Sequence, residues 1–160
     1  MRYEHLIEIN DPLFPLIDPI SRDDLWEGLV LRAYSPQQFI QGLEHATVEE
    51  LSCDDAATVL ARTLDYGMFR VDDRVTLRKM ESVTTDVAAG DGMVKSRLTI
   101  TIEEPAKDRL YLRFLYEFEE DEIRSELDCM TVAIREQAYY ASDMDTVARI
   151  RELAEARRMH

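Results

Sequence analysis

The chain has 160 residues, 46% hydrophobic and 32% charged, with five Gly and five Pro, a composition that predicts one folded domain over 1–160 with room for a sizeable core. With 33 acidic against 19 basic side chains, its formal net charge of −14 repels phosphate backbones and anionic headgroups, so neither nucleic acid nor a membrane is an expected partner. Two cysteines far apart, Cys53 and Cys129, and a start without an apolar leader core point to a reducing cytoplasm.

The first element is a strand over 3–10, where Tyr3, His5, Ile7 and Ile9 alternate with Glu4, Leu6 and Glu8. The acidic face belongs to solvent, which turns His5 inward. Asn10-Asp11-Pro12 breaks the strand. Two short helices are expected between 11 and 41. Ser21 caps the first, with Asp23 and Asp24 in its first turn and Leu25, Trp26, Leu29, Val30 and Ala33 as its apolar stripe. Ser35-Pro36-Gln37-Gln38 starts the second, and Gly42 closes it.

Six β-runs follow, over 43–53, 56–64, 69–79, 81–87, 94–103 and 110–118. Turn chemistry separates them at Asp54-Asp55, Asp65-Tyr66-Gly67, Gly90-Asp91-Gly92 and Glu104 to Asp108. Parity assigns the inner faces: Leu110, Leu112, Phe114, Tyr116 and Phe118 in the last run, Leu98, Ile100 and Ile102 before it, and Phe69, Val71, Val75 and Leu77 in the middle. The faces of 43–53 and 56–64 are ambiguous, and Asp72-Asp73 beside Arg74 reads as a charged edge or turn. From about 121 to 157 an apolar stripe at three- or four-residue spacing, from Ile123 to Ile150, predicts a long helix. Ser142-Asp143 is a place for a kink. Arg149, Arg151, Arg157 and Arg158 read as favourable charge near its C-terminus.

The order is that of an α+β helix-grip fold: a seven-stranded curved antiparallel sheet around a long C-terminal helix, with two short helices between strands 1 and 2. The segments YEHLIEINDP, LWEGLVLRAYSPQQF, LTITIEEP, LYLRFLYE and DMDTVARIREL resemble the AtaL-like subgroup of the SRPBCC (START-like) superfamily. That resemblance implies a hydrophobic cavity between sheet and terminal helix, of the kind that takes lipids, sterols, polyketides or hormones. It supplies no catalytic motif to carry over.

The expected walls are Val75, Leu77, Ile100, Leu112, Phe114 and Tyr116 from the sheet and Met130, Ile134 and Ala138 from the helix. Phe39 either closes the mouth or packs beneath the sheet, and Trp26 packs in the core. His5 either contacts the ligand, as an orienting group or base, or is a satisfied core histidine. Tyr116, Tyr139 and Tyr140 offer hydroxyls on apolar surfaces. The other histidines, His45 and His160, have no ligand-spaced partner, and the acidic residues from Glu117 to Glu122 suit a helix start, so no metal is expected. No nucleophile elbow or phosphate loop occurs, and no cofactor is expected. A small hydrophobic or aromatic molecule is the expected partner, with a homodimer left open. Two alternatives stand: an enzyme of the cyclase, dehydratase or hydrolase type using the same cavity, or an interaction module with a filled core.

Overall fold

The computed structural model describes residues 2–14, 18–90, 94–119 and 126–158, the side chains of 126–132 excepted. Alternating apolar and polar residues lay down β1 (Arg2–Asn10), β2 (His45–Cys53), β3 (Ala57–Asp65), β4 (Arg70–Arg78), β5 (Ser82–Val87), β6 (Ser96–Ala106) and β7 (Arg109–Phe118). They form one curved antiparallel sheet in the order β1-β7-β6-β5-β4-β3-β2, a meander onto whose last strand β1 returns. Helix α1 (Arg22–Tyr34) follows β1 and helix α2 (Glu126–Arg158) closes the chain. Ser21 caps α1 as its sequence requires, its hydroxyl accepting from the Asp24 amide at 3.0 Å. Asn10 pins the intervening loop, since its side-chain amide exchanges two hydrogen bonds with the backbone of Ile20.

Register aligns the inward residues in rows that cross the strands. Ile7, Leu112 and Ile102 make one row, and His5, Phe114, Ile100, Val83 and Leu77 the next. Tyr3, Tyr116, Leu98, Thr85, Val75 and Leu60 make a third. A fourth contains Phe118, Ser96, Val87, Asp73 and Arg62. Leu25, Leu29 and Ala33 from α1, and Val147, Ile150 and Ala154 from α2, join the first three rows in one buried core. Trp26 belongs to that core as well. The fourth row is polar, and the packing there is different.

The two helices touch through a residue without a side chain. A Cβ built on Gly28 would lie 2.8 Å from both Cγ1 and Cγ2 of Ile150, which is fully buried and has nowhere to go. Gly28→Ala is therefore expected to destabilise by about 1–3 kcal/mol in urea unfolding, although alanine is the better helix former. A gain in stability would contradict this close approach.

Several expectations are corrected. The second short helix is a single 3-10 turn, Pro36–Gln38, with no side-chain cap bond. Gly42, at φ 85°, turns the chain out of the following loop. Strand β6 runs on through Pro105 to Ala106 across a register shift, leaving Lys107 and Asp108 as the turn, with Asp108 at φ 63°. Such an irregularity accommodates a residue that has no amide to donate. Phe69 does not face the core: it is 57% exposed and stacks on Tyr66 in the turn before β4. Asp72, Asp73 and Arg74 are neither edge nor turn but sit within β4 between two hydrogen-bonded neighbours. As expected of a continuous or kinked helix, α2 runs through Ser142 and Asp143 without a break. Arg157 and Arg158 do stand in the last turn of α2 as expected, and the late arginines also tie α2 to α1, β1 and the loop between them: Arg157 pairs with Glu27 at 2.7 Å, Arg151 donates to the Ile9 carbonyl and Arg158 to that of Pro19. Residues 91–93 of the Gly90-Asp91-Gly92 turn, the Cys129 side chain and His160 lie outside the described residues.

Candidate functional site

Beside the packed core lies a cavity of about 310 Å³. Arg32 of α1, Tyr139 of α2, and Ile40 and Tyr66 from the connections contribute to its wall. The sheet supplies Arg62, Leu64, Val71, Asp73, Thr85, Val87, Ser96, Arg97, Leu98, Tyr116 and Phe118, so the cavity opens along the fourth row and half of the third.

The fourth row carries a buried ion pair. Arg62 Nε donates to Asp73 Oδ1 at 2.8 Å and its Nη2 to Oδ2 at 2.7 Å, a two-pronged match of guanidinium and carboxylate. Only 3% of the Arg62 side chain and 2% of that of Asp73 is exposed. Arg62 Nη1 donates at 3.0 Å to the carbonyl of Ala33, one of the last-turn carbonyls of α1 that the helix itself leaves without a donor. The pair therefore fastens the end of α1 to the sheet.

An aromatic panel flanks it. Tyr116 and Tyr139 stack at 4.5 Å between ring centres, and Phe118 lies 5.8 Å from Tyr139. Tyr116 donates its hydroxyl to Asp143 Oδ1. Asp143 is 1% exposed, and its second oxygen, Oδ2, has no hydrogen-bond partner. Burial, opposed by the Tyr116 bond and the Arg32 charge, raises the Asp143 carboxyl to about 7. Burial and then the Asp143 charge push the Tyr116 phenol upward as well.

Arg32 completes the wall. Its Nε is buried without an acceptor. Burial pulls its guanidinium below the ordinary value and the like charge of Arg62 adds to this, while Tyr116, Asp143 and Asp73 oppose it. It nevertheless stays cationic.

Of the residues expected to line a cavity, Tyr116 does so. Val75, Leu77, Ile100, Leu112 and Phe114 do not. At 0–4% exposure they are close-packed core beneath the helices, in or next to the rows that α1 and α2 cover. Phe39 packs partly buried against that core. His5 lies next to the panel, its ring 6.4 Å from Tyr116 and 5.2 Å from Tyr140, and its Nε2 makes no hydrogen bond. Ile134, 64% exposed, and Ala138 turn outward, because the face of α2 that meets the sheet runs through Tyr139, Asp143, Val147 and Ile150. The Met130 side chain lies outside the described residues. Among the described residues no group of three metal-ligating side chains converges.

Arg32, Arg62, Asp73 and Asp143 carry the polar chemistry; the sequence reading passed over Arg32 and Arg62, and it took Asp73 for a charged edge or turn and Asp143 for a place for a kink. A signal for two of them was present. Arg62 and Asp73 interrupt the apolar parity of β3 and β4 at mirror positions about the turn that joins Asp65 to Arg70, so an antiparallel hairpin must set them opposite each other.

The family model described as acetylaranotin biosynthesis cluster protein L, AtaL, matches residues 7–157. The chain belongs to the AtaL family. No curated protein matches it significantly. The chain is similar in structure to the di-domain aromatase/cyclase StfQ of the steffimycin pathway, with TM-score 0.68 and 11% identity, covering 99% of this chain and 52% of that one. It thus spans about half the length of that di-domain protein. It also resembles the Zhui aromatase/cyclase from Streptomyces sp. R1128 (TM-score 0.58, 12% identity, 98% and 94% covered). Protein CC1736 from Caulobacter crescentus is a third (TM-score 0.59, 18% identity, 96% and 97% covered). At these identities the likeness establishes the helix-grip fold.

Proposed function

We propose that this AtaL-family chain is a cytoplasmic protein that binds a small planar aromatic molecule in the cavity beside Tyr116 and Tyr139. The observation that supports it is the stacked Tyr116–Tyr139 pair on the wall of a 310 Å³ void whose other walls are apolar side chains and buried polar groups. Apolar walls with a few convergent polar points are how small-molecule sites combine affinity with orientation. Two of the similar structures are named as aromatase/cyclases, which agrees with an aromatic ligand.

Fluorescence titration with 2-naphthamide, a neutral bicyclic probe, tests this. The unmodified protein should bind it saturably, and Tyr139→Ala should weaken binding about tenfold by removing the stacking face. No binding up to the solubility limit would favour the interaction module instead.

One observation favours the catalytic alternative, next to the same cavity and joined to it through Tyr116. A carboxyl raised to about 7 and bonded to a phenol is suited to pass a proton at neutral pH, as enolisation or dehydration of a polyketide requires. Asp143→Asn would then keep the bound probe and lose turnover.

A further inference from the structure

Resting on that reading of the cavity, we infer that the ligand is an aromatic carboxylate and that Arg32 is the residue that holds its anionic group. The charges in the cavity wall are unequal in their partners. Arg62 and Asp73 satisfy each other through two hydrogen bonds, and the third Arg62 bond goes to the Ala33 carbonyl. Arg97 is engaged outside, on Asp86 at 2.6 Å. Asp143 stands behind Tyr116, outside the cavity wall, bonded to it through Oδ1 with Oδ2 unpartnered, and below neutral pH it carries a proton. Arg32 remains. Its Nε is buried with no acceptor, and among the described residues no carboxylate forms an ion pair with it.

A buried guanidinium N–H without an acceptor is costly and persists where something else meets it, and the partly buried Arg32 side chain has such an N–H at Nε. The edge formed by Nε and one Nη matches the two oxygens of a carboxylate. Arg32 lines the same cavity as Tyr116 and Tyr139, so one molecule that stacks on the tyrosines also reaches the guanidinium. The net charge of −14 works against uptake of anions in general, so an anion preference must come from a local site such as this one.

The test compares 2-naphthoate with 2-naphthamide, which share shape and differ in charge. The unmodified protein should bind the carboxylate at least about tenfold more tightly at low salt, and Arg32→Gln should abolish that preference while still binding the amide. In the absence of any probe, Arg32→Met should raise the melting temperature, because it removes a buried N–H with no acceptor. Equal binding of the two compounds by the unmodified protein would overturn the role of Arg32 and leave the aromatic cavity standing. Failure of both compounds to bind would overturn the cavity reading and this inference together. A fall in melting temperature for Arg32→Met would identify Arg32 as structural and overturn the inference by itself.

Discussion

Arg62→Met is expected to cost on the order of 3–5 kcal/mol in urea unfolding, far more than deletion of an exposed ion pair. The loss comes from what is left behind. Without Arg62, Asp73 keeps two oxygens in a site where 2% of its side chain reaches solvent, and the Ala33 carbonyl at the end of α1 loses its donor. The double variant Arg62→Met/Asp73→Leu should recover most of that loss, since an apolar pair of similar volume avoids the desolvation of both charges. The recovery should be incomplete by about 1 kcal/mol, the worth of the Ala33 bond that neither replacement restores. If the single change costs no more than an exposed pair, the Arg62–Asp73 bridge is not sealed from water. The residual deficit of the double variant would show how far the bridge anchors α1.

Why the ion pair sits in a functional cavity and not in the core follows from the rows. In the His5–Phe114–Ile100–Val83–Leu77 row the sheet lies under α1 and α2, and apolar side chains fill the space. In the Phe118–Ser96–Val87–Asp73–Arg62 row, space remains next to the panel, so polar groups can be buried around it. The architecture was legible in the sequence because strand alternation and the helix stripe are local periodicities, and every predicted strand is present with small shifts at its ends. The position of the cavity was not. It depends on where the helix leaves a curved sheet, a property of the assembled fold. Ile134 and Ala138 show this: they continue the apolar stripe of α2 on paper, yet the contact face turns through Tyr139 and Asp143. Asp143 was read as one half of a place for a kink. Its partner, Tyr116, lies on another element 27 positions away, and no local pattern links the two.

The wild-type protein is expected to lose stability as pH rises from about 4 to about 7, relative to Asp143→Asn. In the unfolded chain the Asp143 carboxyl gives up its proton near 3.8, whereas in the folded protein it holds the proton to about 7. Between those values the folded state binds one more proton than the unfolded state, so raising the pH favours unfolding. Above 7 the carboxylate is ionised in both states, and the penalty stays constant at its full value. Its size is on the order of 4 kcal/mol, the free energy of a shift of about three pH units. Asparagine keeps an oxygen to accept the Tyr116 hydroxyl and has no charge to bury, so its stability should lack this slope. Exposed carboxylates held low by hydrogen bonds and ion pairs, such as Glu4, Asp54 and Glu104, act in the opposite sense at lower pH. They are common to both proteins and cancel in the comparison. Urea unfolding of the two proteins at pH 4.5, 6 and 8 provides the measurement. Parallel curves for the two would mean that Asp143 ionises as an ordinary carboxylate in the fold, and the proton-transfer role of the Tyr116–Asp143 pair would fall with the slope.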